Sequence, residues 1–197
     1  MTSAGTRTGP GRRPEADQLI RVRRAATGDR EALTRMFGRC TPETRYRRFH
    51  GPVRAIPERY LADALSGGPF HYALVACPGP VPEPGLGQEP GRGPGRGQRP
   101  GDDRDAAPIV ALASCRMIDE GAAELGLFIE DAWQRRGLGT RLLRDLIAHA
   151  AGTGLRVLEA QLLAEQAWIT GLLRPYGACR FRPASDGVLN VTVRLGS

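Results

Sequence analysis

Lysine is missing from this chain altogether. All 28 basic residues among its 197 are arginine, set against 21 acidic ones for a formal net charge of +7. A nucleotide P-loop needs a Gly-Lys pair, so that phosphate site is excluded. Long hydrophobic runs are also lacking. No apolar stretch approaches the roughly 18 residues that span a bilayer, and no charged-then-apolar start reads as a secretory signal. The expectation is a cytoplasmic protein without a membrane partner. Cysteine is sparse: Cys40, Cys77, Cys115 and Cys179 lie far apart with no metal-type pairing, so they are read as reduced and mostly buried. The three histidines, His50, His71 and His149, have no carboxylate or cysteine at ligand spacing, which argues against a metal. No Ser-His-Asp arrangement is legible.

Two segments lack the means to build a core. Residues 1–17 are mostly Gly, Thr, Arg and Pro and read as a disordered tail. Residues 78–107 read as a flexible insertion, dominated by Pro and Gly from Pro78 to Gly101 and holding a tandem Pro-Gly-Arg-Gly at Pro90–Gly93 and Pro94–Gly97. Such a stretch does not repay its ordering entropy and belongs at the tip of a hairpin. Its Arg-Gly repeats could suggest RNA. However, it has no aromatic residue for bases to stack on, and Glu83, Glu89, Asp102, Asp103 and Asp105 offset its arginines, so no nucleic-acid partner is expected. What remains is a single domain within residues 18–197, of ordinary size for one core.

The informative feature is present rather than missing. The apolar run Leu125-Gly126-Leu127-Phe128-Ile129 leads through Gln134-Arg135-Arg136-Gly137-Leu138-Gly139-Thr140 into a stripe of Leu138, Leu142, Leu143, Leu146, Ile147 and Ala150. That spacing predicts an amphipathic helix from about 136 to 151. Glycines at its mouth remove Cβ atoms where unpaired N–H groups point outward, a place suited to a phosphate. A dinucleotide fingerprint would need glycine where Leu142 stands.

The order of elements follows from periodicity and breakers. Strands are predicted at 19–26, 71–76, 109–118, 123–129, 156–164, 178–182 and 188–193. Helices are predicted at 29–37, 42–49, 56–65 and 166–175, besides the one after the glycine turn. This describes an α/β (α+β) mixed sheet with helices on both faces. Strand alternation puts Glu124, Gly126, Phe128 and Glu130 on one face, with Leu125, Leu127 and Ile129 on the other. Trp133 and Trp168 are expected to anchor the glycine turn and the last helix to the core.

Gln-x-x-Gly-x-Gly resembles the pyrophosphate-binding turn of the GNAT superfamily of N-acetyltransferases. The strand before it, Leu158–Glu165 after it, and Thr41-Pro42-Glu43-Thr44-Arg45-Tyr46-Arg47-Arg48-Phe49 extend the likeness over roughly residues 19–76 and 108–196. The last of these segments is similar to the bacterial protein-lysine acetyltransferase branch. The resemblance implies an acyl-CoA N-acyltransferase fold whose mostly antiparallel sheet splays between its fourth and fifth strands, with acetyl-CoA as co-substrate. It implies that Arg135, Arg136, Gly137, Leu138, Gly139 and Thr140 hold the pyrophosphate. Main-chain groups of Leu127, Phe128 and Ile129 would serve the pantetheine arm and the thioester oxygen, with an N–H near Ile129 as oxyanion donor. Gln166 stands where the family commonly has Asn. Glu124 would be the general base and Tyr176 a candidate acid, although the usual tyrosine position is Leu173 and Pro175 ends the helix before Tyr176.

The expected activity is direct transfer of an acetyl group to a primary amine, of which a protein lysine is one form and a small molecule another. Self-acetylation at a side-chain amine is ruled out by the missing lysine. A non-catalytic acyl-CoA sensor is the alternative, and either a monomer or a homodimer is compatible with the sequence.

Overall fold

In the computed structural model, residues 20–67, 71–79, 108–184 and 186–196 are described. The tail at 1–17 and the insertion from 80 to 107 lie outside them. Seven strands form one sheet in the order β1-β2-β3-β4-β5-β7-β6. They are β1 Ile20–Arg24, β2 His71–Pro78, β3 Ala111–Asp119, β4 Ala122–Ile129, β5 Val157–Leu163, β6 Gly177–Pro183 and β7 Val188–Leu195. Every neighbouring pair is antiparallel except β4 with β5. Pro78, expected to open the insertion, instead closes β2 opposite Ile20 of β1, past the last β2–β3 pair Ala76↔Ala111, where only one neighbouring strand remains.

The helices are α1 Arg30–Arg39, α2 Pro42–Phe49, α3 Glu58–Ser66, α4 Leu138–Gly152 and the short α5 Thr170–Leu173. Thr41 caps α2, its hydroxyl accepting the Thr44 N–H, and Pro42 occupies the first turn. The single helix expected at 166–175 is broken into a 3-10 turn at Ala164–Ile169, α5, and a second 3-10 turn at Arg174–Tyr176. Gly171 adds no helix preference within this span and Pro175 stops it. Trp168 is 68% exposed, so it does not anchor that segment. Trp133 does pack against the core.

The sheet separates two cores, and β4 divides its side chains between them. Leu125, Leu127 and Ile129 meet the α4 stripe of Leu138, Leu142, Leu146 and Ile147. On the opposite face Phe128 packs with Phe37 of α1, Phe49 of α2 and Leu61 of α3. The period-two pattern read from the sequence therefore sets which residues are core and which line the face beside α2. The cysteines are free thiols, three of them buried. Burial pushes the Cys115 thiol up to about 11, and burial together with Asp131 and Glu130 pushes Cys40 up to about 12. Among the described residues no helix is long and apolar enough to cross a membrane.

Candidate active site

The glycine turn has the backbone that an anion site requires. Arg135 and Gly137 both take left-handed φ, at 59° and 78°. This reverses the chain, and glycine meets the requirement at no steric cost. The first helical bond of α4 runs from the Arg141 N–H to the Gly137 carbonyl, so the N–H groups of Leu138, Gly139 and Thr140 precede the ladder at the positive end of a 15-residue helix. Arg135, Arg136 and Gly137 are exposed there, and the Arg136 guanidinium lies 5.2 Å above the Trp133 ring. A Cβ on Gly139 would stand 3.3 Å from both Ile129 Cδ1 and Leu127 Cδ2. Glycine is what lets the helix mouth approach β4.

Two side chains tie this turn to α2. Gln134 donates from Nε2 to the Thr44 hydroxyl at 3.1 Å and to the Ile129 carbonyl at 2.9 Å. Asp131 accepts the Thr41 N–H at 2.9 Å, with the Thr41 and Thr44 hydroxyls at 2.8 Å each. Burial works to raise the Asp131 carboxyl, but these hydrogen bonds outweigh it and hold the group below the ordinary aspartate range. Its contribution to stability is therefore fully present above the unfolded-state value and is lost as pH falls through the lower folded value. Asp131→Asn is expected to flatten the acid limb of denaturant-measured stability below about pH 4. An unchanged limb would show that the tie contributes nothing.

Beside this turn the sheet parts. The parallel ladder of β4 with β5 runs only from Ala122↔Val157 to Glu124↔Glu159. Glu130 donates its N–H to Val110, opposite it across the β3–β4 pair. Antiparallel alternation then directs Phe128 and Gly126 to β3, and Leu127 and Ile129 away from it into the gap. This corrects the expectation for Phe128, whose main-chain groups face Leu112 and whose ring is core. The Ile129 carbonyl is already taken by Gln134. Gln166 uses its Oε1 to accept the Leu163 N–H at the end of β5.

Glu124 stands at the closed end of the gap. Its Oε2 accepts from Arg116 at 2.5 Å, and among the described residues Oε1 accepts no hydrogen bond. Glu130, on the same face further along, is held by Arg39 at 2.8 Å. Arg48 of α2 fills the space over Gly126: a Cβ there would lie 2.2 Å from Arg48 Nη2 and 2.9 Å from Ser114 Oγ. The Arg48 guanidinium sits 4.7 Å from the Tyr60 ring centre, and its Nε is buried without a partner among the described residues. Burial lowers His50 and His71 from their ordinary values. Arg48 adds to this in both, Arg116 in His71, with Glu124 opposing in each.

A groove of about 540 Å³ opens on this face, lined by Glu124, Glu159 and Gln161 with Ile118, Ala160, and the β6 and β7 side chains Arg180, Arg182, Asn190, Thr192 and Arg194. Strand alternation puts Glu159 and Gln161 on one face of β5, and the parallel register with β4 makes it the face of Glu124. The β6 and β7 contributions were not legible, because pairing order is invisible in sequence. Tyr176 lies outside the groove lining and packs against the core on the α4 side.

Residues 96–170 match the model of the acetyltransferase (GNAT) family. No curated protein matches the chain. Among solved structures, the GNAT domain of S. lividans PAT is 20% identical with a TM-score of 0.64, covering 89% of this chain and 90% of that one. The protein yncA from Salmonella typhimurium, solved with its cofactor acetyl-CoA, is 18% identical with a TM-score of 0.57, covering 91% and 95%. A cAMP-binding acyltransferase from Mycobacterium smegmatis is 20% identical with a TM-score of 0.52; 90% of this chain matches only 44% of that longer one. Residues 96–170 are thus similar in sequence to the acetyltransferase (GNAT) family, and the described residues share the fold of these solved structures.

Proposed function

We propose that this protein transfers the acetyl group of acetyl-CoA directly to a primary amine, a lysine side chain on a partner protein included. The observation that carries this reading is the end of the β4–β5 ladder at Glu124 and Glu159. It sets a carboxylate at the apex of a gap whose far mouth is the glycine turn. The turn fits a diphosphate by its left-handed Arg135 and Gly137, its unpaired first-turn N–H groups and its exposed surface. Residues 135–140 would hold that diphosphate, and the gap-facing main chain of Leu127 and Ile129 would line the pantetheine arm. Bound there, acetyl-CoA supplies an activated thioester.

The remaining work falls to the protein's own groups. An amine near pH 7.4 is about three units below its pKa, and its deprotonation costs roughly 4 kcal/mol. Glu124 would accept that proton at Oε1, directly or through water, while Arg116 fixes Oε2. A gap-facing N–H of β4, that of Ile129 or of Leu127, would polarise the thioester carbonyl. No side-chain acid is required, since a CoA thiol of ordinary pKa near 8.5 leaves readily as thiolate. Tyr176 is therefore not given that role.

Calorimetry with CoA, followed by thiol release from acetyl-CoA over a panel of small amines and lysine peptides, tests the reading. Micromolar CoA binding and acceptor-dependent release are expected. CoA binding with no acceptor-dependent release from any amine would favour the sensor, and no CoA binding would end both readings.

A further inference from the structure

The groove beyond Glu124 is chemically two-ended. The register threads one row of same-face residues across five strands: Arg116↔Glu124, Glu124↔Glu159, Glu159↔Thr192 and Thr192↔Arg180. The next row continues Gln161↔Asn190 and Asn190↔Arg182. Arg194 shares their face by the same alternation. One end is thus carboxylate and the other guanidinium, with uncharged amides and a hydroxyl between them.

Among the described residues Glu124 is met by an ion pair with Arg116, whereas Glu159 and the three arginines of the groove are in none. Among the described residues the ion pairs account for Arg23, Arg30, Arg35, Arg39, Arg47, Arg116 and Arg144. None involves Arg180, Arg182 or Arg194. Two of these three stand on β6, the sheet edge, where charge discourages strand addition. Edge protection would be served by charge on either face. Here Cys179 and Phe181 take the other face and both arginines point to the groove side. At about 4.8 Å per strand, Glu159 and Arg180 stand about 10 Å apart at the backbone, and Glu124 and Arg180 about 14 Å. Glu and Arg side chains extended towards each other would shorten that span to about the length of a short aliphatic chain.

Resting on the transfer reading above, we propose that the acceptor is dipolar: a primary amine with an anionic group several bonds away, the amine taken by the Glu124–Glu159 end and the anion by Arg180 and Arg182, with Arg194 adding to the local field. The anion is a carboxylate or a group of like geometry, because a guanidinium fork matches two oxygens at once. It can belong to a free amino acid or to an acidic residue flanking a lysine, and both present the same pair of charges.

The test uses the full chain with CoA present. Three acceptors share one amine and differ at the far end: 6-aminohexanoate, its amide, and hexylamine. Two peptides add the second source, a lysine flanked by aspartates and the same lysine flanked by alanines. The readouts are calorimetric binding and acceptor-dependent thiol release. A charge-assisted pair of this kind predicts about a ten-fold to hundred-fold lower Kd and KM for the acid than for its amide. In Arg180→Gln/Arg182→Gln that ratio is expected to collapse towards one, with Arg180→Lys/Arg182→Lys keeping part of it. A salt-sensitive preference for 6-aminohexanoate assigns the free small molecule, and one seen only for the aspartate-flanked peptide assigns the protein source.

In the unaltered protein, equal affinity for acid and amide together with equal affinity for the aspartate- and alanine-flanked peptides would overturn the proposal, as would a double Gln variant that weakens both members of a pair alike. Because binding is read apart from turnover, a preference for the acid without any thiol release would leave the dipolar site standing and remove the transfer reading instead.

Discussion

Glu124→Gln is expected to lower turnover by about 10²- to 10⁴-fold, the usual worth of a positioned general base, while leaving the affinity for acetyl-CoA within about two-fold. The split follows from where the residue stands. Glu124 begins the parted stretch of β4, and five residues at about 3.3 Å each separate it from Ile129, some 17 Å nearer the diphosphate turn. A glutamine fills the same volume and can still accept from Arg116, so the wall of the groove is kept while the proton acceptor is lost. Single-turnover thiol release and CoA calorimetry on the same preparation check the two halves. The deficit is expected to shrink as pH rises towards the pKa of the amine, since the base matters less once the acceptor arrives neutral. Turnover equal to the unaltered protein across that range would remove Glu124 from the chemistry and leave it as the partner of Arg116.

Gly177→Ala is expected to be the most damaging single methyl in the described sheet. A Cβ at Gly177 would lie 1.8 Å from the Arg194 carbonyl oxygen and 2.8 Å from its carbon. Both belong to backbone, which has no rotamer by which to step aside. The first β6–β7 pair, Gly177↔Leu195, would have to open. Overpacking of this kind costs about 3 kcal/mol, which in a chain of this size lowers Tm by roughly 6–12 °C. Thermal unfolding followed by circular dichroism checks it. A Tm within a degree of the unaltered value would mean that β6 is not held this close to β7. The same strand carries Arg180 and Arg182, so any preference for an anionic acceptor should weaken in the surviving folded fraction.

Much of this layout was legible from residues alone, and for identifiable reasons. The α4 stripe and the β4 alternation are local periodicities, each enforced by a core on a known side, and both appear where the spacing put them. Pro42 marked the start of α2 because a first-turn proline acts locally. Phe128 was misjudged for a different reason: which neighbour a strand's N–H groups face depends on the hydrogen-bonding phase of a particular pair, which one chain segment does not encode. The last helix is cut short because Pro175 stops a pattern whose apolar spacing still looks helical. Arg180, Arg182 and Arg194 carry no site signal in the sequence, since only the non-sequential order β5-β7-β6 gathers them beside Glu159. Arg48 was read as part of a resemblance, whereas its place over Gly126 comes from the docking of α2 on β4.

The Gln134 and Asp131 ties have a thermodynamic corollary. They fasten the α2 wall, with Arg48 at its inner end, to the loop that would seat the diphosphate, so a fluctuation of one costs hydrogen bonds shared with the other. Whatever one ligand gains by stiffening its own half of this strut is returned as a bonus to the other ligand, and linkage requires the two bonuses to be equal.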